Sequence, residues 1–490
     1  MRERYLLSID QSTQGTKAML FSGAGGLLCR CDRKHRQIVS EQGWVEHDPM
    51  EIYQNTLAVV GELLQKSGVD PASVAGAGLS NQRETVLVWD KKTGLPAYNA
   101  VVWQCGRATE QCRRIAGQGR RIQQITGLPL SPYFSAAKVG WLLDHLAGAR
   151  RDPDLVCGTI DSWLLFKLTG RHLTDYSNAA RTQLFDIQRL CWSEEACGLF
   201  DIPLRMLPRV CDSDAAFGES DFGGLFPRPI PIRGVLGDSN GALLGQGCFA
   251  AGQTKCTFGT GSSVMMNVGP RFPGVHEGIA TSLAWKIGGG LDYVMEGNIN
   301  YTGAIITWLC EDVQLIASPK ECAALAQRAN PDDGTYLVPA FSGLGAPYWD
   351  SGARAGFYGM SRTTGKAELV RAAEQAIAYQ IHDVAAALAQ ASGRRLSALC
   401  ADGGPTRDGY LMQFQSDLLQ APVLASGMEE LSGAGAAFTA GQALGMFTVE
   451  EAAARLQKRA YRPGMDAQRR EALLAGWRRA VRSVLEETRT

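Results

Sequence analysis

Gly234-Val-Leu-Gly-Asp238-Ser-Asn-Gly-Ala-Leu-Leu-Gly-Gln-Gly247, followed a few residues on by Lys255-Cys-Thr-Phe-Gly-Thr-Gly-Ser-Ser-Val-Met-Met-Asn-Val268, is the stretch that decides how this chain reads. The apolar run Ile230 to Leu236 predicts a strand, stopped by Gly237 and a single carboxylate, Asp238. The small and apolar residues beyond it predict a helix starting at Ser239. A carboxylate at a strand end beside a helix N-terminus is held ionised and faces a crevice. Downstream, two apolar runs are joined by Gly259-Thr-Gly-Ser-Ser263, a turn that offers backbone N–H groups and hydroxyls to an anion. A base this close to a phosphate cradle points to phosphoryl transfer onto a hydroxyl. The competing reading is an ordinary Asp cap and a glycine-rich hairpin turn. The rest of the chain has to decide between them.

The pattern occurs once more. Tyr5 to Asp10 predicts a strand, Gln11-Ser-Thr-Gln-Gly-Thr-Lys17 a turn, and Ala18 to Phe21 the returning strand. This is strand–turn–strand, not the strand–loop–helix of a Walker site, and Gly-x4-Gly-Lys-Ser/Thr occurs nowhere. One copy in each half of the chain is a weak internal repeat, and two facing copies would grip one polyphosphate. Asp10 opens the first copy and is placed to touch a metal ion or its water shell.

A chain of 490 residues is too long for one core, so two domains are expected, 1–243 and 244–490. No low-complexity linker separates them, which places a hinge just after Asp238. Lys+Arg and Asp+Glu are both 49, which excludes a global charge that would recruit nucleic acid. No window is long and apolar enough to span a bilayer, and Met1-Arg-Glu-Arg4 leads straight into a strand, so a soluble cytoplasmic protein is expected. The 13 cysteines are an odd, scattered set without zinc spacing, which reads as reduced, mostly buried thiols.

Three further stretches carry chemistry. Arg83-Glu84 stands at a strand junction and combines fixed donors with an acceptor, as a ligand with several hydroxyls requires; a surface ion pair is the alternative. Asp402-Gly-Gly-Pro-Thr-Arg-Asp408 puts a glycine pair between a strand and a helix, where a flat ligand can approach the backbone. Ser432-Gly-Ala-Gly-Ala-Ala437 opens a small-faced helix able to pack tightly.

Taken together, these motifs resemble the FGGY family of carbohydrate kinases, and within it the branch that phosphorylates glycerol. The likeness runs nearly end to end. It includes Asp10-Gln11, Gly43-Trp-Val-Glu-His-Asp-Pro-Met50, Asn81-Gln-Arg-Glu-Thr85, Tyr98-Asn-Ala-Val-Val-Trp-Gln-Cys105, Thr174-Asp-Tyr-Ser-Asn178, Gly237-Asp238, Gly259-Thr-Gly261 and Leu411-Met-Gln-Phe-Gln-Ser-Asp417. The resemblance implies an α/β fold of two ribonuclease-H-like domains, the actin and hexokinase architecture, with a nucleotide cleft between them. It implies ATP and Mg2+ as cofactors, a small polyol or sugar as acceptor, and a homo-oligomer, dimer or tetramer. It makes Asp238 the catalytic base and a metal contact with Asp10. Arg83, Glu84, Trp103, Tyr133, Ser239 and Ser263 would line the polyol site. Thr13, Gln14, Gly15, Lys17, Gly259 and Thr260 would hold phosphates, and Gly303, Thr307, Gly404 and Asp408 would lie along the nucleotide.

Four positions depart from that branch. Ser239 stands for a glutamine and Ser263 for an aromatic residue, both in the polyol pocket. The shorter arm and missing apolar wall imply a wider, wetter pocket, so glycerol is the first acceptor expected and a larger polyol or ketose, a tetritol or a pentulose, is the alternative. Lys17 stands for an arginine and loses its bidentate fork. Asp408 stands for an asparagine at the nucleotide end. Leu225-Phe-Pro-Arg228 does not match the effector loop of that branch, so its regulation is not expected here. A non-catalytic, actin-like nucleotide switch is the rival from another class; a base with Arg83, Glu84 and Trp103 around it has no use in such a protein.

Overall fold

The computed structural model describes residues 3–487, so the Met1-Arg2 start lies outside the described residues. Two large mixed sheets organise the chain. The first runs, in spatial order, Gly218–Ser220, Ile230–Gly237, Val74–Asn81, Tyr5–Gln11, Gly15–Ser22 and Leu27–Lys34. The second runs Ala280–Ile287, Gly290–Ile299, Ser262–Gly269, Gln253–Phe258, Ala398–Asp402, Val423–Ser426 and Lys458–Tyr461. In each sheet an antiparallel hairpin lies at the centre, and its first strand is flanked by a parallel strand that arrives much later in sequence. The weak repeat seen in sequence is therefore a repeat of topology. The central strands are buried along nearly their whole length, as expected of sheets covered on both faces.

Local chemistry sets the helices that cover these sheets. The helix Pro49–Ser67 starts with proline in its first turn, and its Asp48 cap accepts from Met50 N and Glu51 N. It ends at Gly68, whose φ of 64° is the left-handed C-cap conformation. The helix Lys366–Ser392 packs on the second sheet through Ala373, Ile377, Ile381 and Val384. Leu474, Trp477, Val481 and Val484 of the helix Ala467–Glu487 bury against the same core. A smaller five-stranded sheet, centred on Ala100–Val101 and Val86–Asp90, is built out from the first lobe.

The lobes meet through a helix pair. Asp238–Gly245 is helical from its first residue, capped by Gly237, so the segment expected to hinge just after Asp238 is a continuous helix. The small-faced helix Leu431–Ala443 crosses from the second half and packs on it and on the first sheet. The approach is backbone to backbone: a Cβ at Gly435 would sit 2.0 Å from the Gly241 carbonyl oxygen, and one at Gly78 would sit 2.3 Å from that of Ala436. Around this pair an apolar cluster draws Met19 and Phe21 from one sheet, Met265 and Val294 from the other, and Leu243 and Phe438 from the helices. All 13 cysteines are free thiols, most of them buried. Among the described residues, no helix is long and apolar enough to cross a membrane.

Candidate active site

Between the lobes lies a cavity of about 780 Å³, and both hairpin turns open into it. Thr13 and Gln14 come from the first turn, and Gly259, Thr260, Gly261 and Ser262 from the second. The second turn is tight, with Gly259 N donating to Gly261 O at 2.9 Å. The helix Gly303–Glu311 anchors it from behind: Gly303 N donates to Gly259 O at 2.9 Å and Ala304 N to Thr260 O at 3.1 Å. A side chain at Gly303 would bring a Cβ to 2.6 Å from that same Gly259 oxygen, so the close packing requires glycine.

One wall of the cavity is a chain of alternating charges. Arg83 lies at the end of the strand Val74–Asn81, and its Nε is 3.3 Å from Asp238 Oδ1. Its two terminal nitrogens donate to Glu296 at 2.9 and 3.2 Å. Arg181 contacts Glu296 at 3.1 Å and donates to Glu84 at 2.6 Å. Arg83 and Glu84 are thus buried and paired with other residues, which removes the surface-pair alternative. Glu84 holds a φ of 62°, costly for a residue with a side chain and typical of functional sites. Burial opposes ionisation of Glu296, but the two guanidiniums outweigh it and hold the carboxyl well below the usual range. Asp238 is the open member of the wall, with 38% of its side chain exposed in the cavity.

Aromatic groups close the pocket. The Trp103 and Tyr133 rings meet edge to face at 5.4 Å, and Trp103 Nε1 donates to Thr13 Oγ1 at 2.9 Å, which ties the aromatic pair to the first turn. Lys138 lies fully buried beneath the Tyr133 loop and donates to the carbonyls of Tyr133 and Phe134. Burial pulls its pKa down to about 7. Ser239 and Ser263 both line the cavity. Ser263 is not an idle hydroxyl, since it donates to Glu296 Oε1 at 2.9 Å.

A second cavity, about 660 Å³, borders the Gly303 helix and is lined mainly by apolar surface. Gly303, Thr307, Gly404 and Asp408 all border it, together with Ile306, Ile377 and Leu411. Asp408 caps the helix Gly409–Leu419 by accepting from Tyr410 N and Leu411 N, a task that its carboxylate performs as well as an amide. Glu374 also borders this cavity, with both carboxyl oxygens buried and unpartnered; burial, with Asp408 adding to it, pushes its pKa up to about 9.

Three residues of the first hairpin stand back from the cavity. Gly15 packs where a Cβ would be 2.4 Å from the Arg33 carbonyl oxygen. Lys17 Nζ pairs with Glu430 at 2.7 Å, and Arg30 contacts the same carboxylate. Asp10 is buried behind the turn with Oδ1 unpartnered, and burial raises its pKa to about 6 against the pull of Lys17. Sequence reasoning missed Arg181, Glu296 and Glu374. The one signal for Glu296 was a lone carboxylate inside the apolar run Tyr293-Val-Met-Glu296.

A cleft lined by two like glycine–hydroxyl turns and one open carboxylate, Asp238, has the layout of a phosphotransferase with an alcohol acceptor. The comparisons narrow the class. Residues 5–245 match the model of the N-terminal domain of the FGGY family of carbohydrate kinases, and residues 254–444 match that of its C-terminal domain. The chain is 45% identical to glycerol kinase 1 of Thermotoga maritima over 99% of its own length and 100% of that protein. It is 43% identical to a Stenotrophomonas maltophilia glycerol kinase over 99% of both. The crystal structure of Plasmodium falciparum glycerol kinase with ADP superposes with a TM-score of 0.94 at 34% identity, covering 99% of this chain and 98% of that one. The chain belongs to the FGGY family of carbohydrate kinases.

Proposed function

We propose that this kinase transfers the terminal phosphoryl group of ATP to a terminal hydroxyl of a small polyol, with glycerol as the first acceptor to test. The observation that carries the reading is Asp238: it alone of the acidic wall is open to the cavity, and Arg83 holds it at 3.3 Å beside the turn at Thr260. The similar proteins named glycerol kinase support glycerol as acceptor. In this reading Arg83, Glu84 and Tyr133 fix neighbouring hydroxyls, and the next one is presented to Asp238. The acceptor oxygen attacks phosphorus, the bond to the leaving ADP oxygen breaks, and Asp238 takes the hydroxyl proton late in a loose transition state. Thr13, Gln14 and the 259–261 turn neutralise charge on the transferred group. The cavity near Gly303, Thr307, Gly404 and Asp408 takes the base, and the anchoring of the Gly303 helix on the turn joins the two ends of the nucleotide.

The donor set fits magnesium. Asp10 and Asp238 are hard oxygen donors, Asp10 carries an unpartnered buried oxygen, and the nearby charge of Asp238 adds to burial in opposing ionisation of Asp10. Mg2+ keeps several waters and needs only one or two protein carboxylates beside phosphate oxygens. It would supply charge neutralisation on the phosphates. A dimer or tetramer is the assembly we propose.

Asp238→Asn tests the reading. It is expected to keep the fold and nucleotide binding and to lose about 10²–10⁴-fold in kcat, the usual contribution of a general base. Near-normal turnover of the purified variant on any accepted polyol would show that the base lies elsewhere. A second reading, a tetritol or pentulose kinase, is favoured by Ser239 and Ser263 at the cavity wall.

A further inference from the structure

Lys138 stands near the start of the helix Ser135–His145 and is completely buried. A buried ammonium is costly unless it is paired. Among the described residues no carboxylate lies within salt-bridge distance of it. Its Nζ donates instead to two backbone carbonyls, that of Tyr133 and, at 3.2 Å, that of Phe134. The side chain therefore bends back along its own helix to grip the segment that leads into it. The charged and titratable groups facing it are Glu84 and the thiols of Cys105 and Cys112, with Arg107 bonded to Cys105. The gripped segment, residues 133–135, meets the cavity wall at three points. The Tyr133 ring packs on Trp103 at 5.4 Å. The Phe134 ring lies 5.1 Å from the guanidinium of Arg181, which holds Glu84 and Glu296. The Ser135 hydroxyl donates at 3.1 Å to the carbonyl of Glu84, the residue whose φ is 62°. No side chain caps this helix start, so the Lys138 ammonium fastens the segment from the helix side.

We propose that Lys138 is a positioning residue for the phosphoryl acceptor: its ammonium, through the two carbonyls, holds Tyr133 and Glu84 in their binding places, and loss of its proton loosens the acceptor site. The proposal rests on the kinase reading above, in which Glu84 and Tyr133 fix hydroxyls of the acceptor. A hydrogen bond from an ionised donor is roughly twice as strong as a neutral one, so the amine form still reaches both carbonyls but grips them less. Burial brings the pKa of Lys138 down to about 7, so the two forms exchange near neutral pH. Stability and acceptor binding then move in opposite directions. The unfolded lysine keeps its proton up to about pH 10.4, so between about pH 7 and 10.4 the unfolded state binds more protons and this group adds stability as pH rises. Acceptor binding is tightest below pH 7 and weakens above it. A lysine that only supports the fold would move both the same way.

The experiment measures ADP release and calorimetric melting from pH 6 to 9 on the full-length wild type, Lys138→Met and Lys138→Gln. The acceptor is whichever of glycerol, erythritol and xylitol the wild type uses best. At pH 6 the acceptor KM of Lys138→Met is expected to exceed that of wild type at least about ten-fold, with ATP KM within about two-fold. The wild-type acceptor KM should rise about five-fold from pH 6 to 8.5, while its melting temperature rises relative to Lys138→Met. Lys138→Gln keeps two N–H donors without the charge, so its acceptor KM should lie between the two and stay flat with pH. It also carries the comparison if Lys138→Met does not fold. Combined with Tyr133→Phe, Lys138→Gln should cost less in acceptor KM than the sum of the single effects, because both act at one group. Acceptor and ATP KM changing together, a wild-type pH profile parallel to that of Lys138→Gln, or additive effects with Tyr133→Phe would overturn the proposal and leave the kinase reading intact. Absence of turnover by wild type on every acceptor overturns both.

Discussion

Glu296→Gln removes one charge from the centre of the charged cavity wall and leaves the shape almost unchanged. In the native protein the carboxylate binds Arg83 at 2.9 and 3.2 Å, Ser263 at 2.9 Å and Arg181 at 3.1 Å. The side chains of Glu296, Arg83 and Arg181 are 1%, 5% and 2% exposed, so water cannot replace the lost partner. Breaking a buried pair on one side costs about 3–5 kcal/mol because the remaining charge is left uncompensated. Each arginine here keeps one anion, Asp238 for Arg83 and Glu84 for Arg181, which places the cost at the lower end, about 3 kcal/mol. For lobes of this size that is on the order of 6–12 °C in melting temperature. The freed guanidinium is drawn onto Asp238, so acceptor KM rises at least about ten-fold with ATP KM unchanged. The sign with pH follows from the pairing. The folded carboxyl is held below its unfolded range, so its stabilisation is full above about pH 4.3 and fades as pH falls further. The gap between wild type and variant is therefore flat from pH 6 to 9 and narrows in acid. Calorimetry across pH, with acceptor and ATP kinetics on the same preparations, reads all of this. A melting shift under about 2 °C with unchanged acceptor KM would refute the clamp.

The other predictions use separate parts of the molecule. Thr260→Val should weaken apparent ATP affinity about 10–100-fold, the range for a hydrogen bond to a charged group, without touching acceptor KM. Thr13→Val should raise both constants, because Thr13 also receives the Trp103 indole hydrogen at 2.9 Å; ATP affinity unchanged in both variants would remove the paired turns from the mechanism. Glu374 has a folded pKa raised to about 9, so its burial costs nothing below its unfolded value, and stability is lost as pH rises toward 9. Glu374→Gln should flatten that loss and melt higher than wild type at pH 8.5, as calorimetry at pH 5 and 8.5 would show; an unchanged pH profile would mean that the carboxyl is solvated.

Much of this molecule is local, and local features are legible in a sequence. Both strand–turn–strand hairpins follow from apolar runs and the glycine–hydroxyl turns between them, which act over a few residues. The two glycine–hydroxyl turns were legible as turns for the same reason, and the fold brings residues of both to one cavity. What the tertiary structure alone decided is the set of partners across long separations. Arg83 reaches Glu296 across 213 residues, from beyond the end of a strand of the first sheet to a strand of the second. The same distance effect acted on Lys17, which sits in a phosphate-type turn by sequence but pairs with Glu430, 413 residues away. It also acted on Ser263, read as an added hydroxyl in an open pocket and found with its proton bound to Glu296. Charge pairing depends on which side chains the fold brings within a few ångströms in a dry interior, and no pattern of neighbours along the chain encodes that distance.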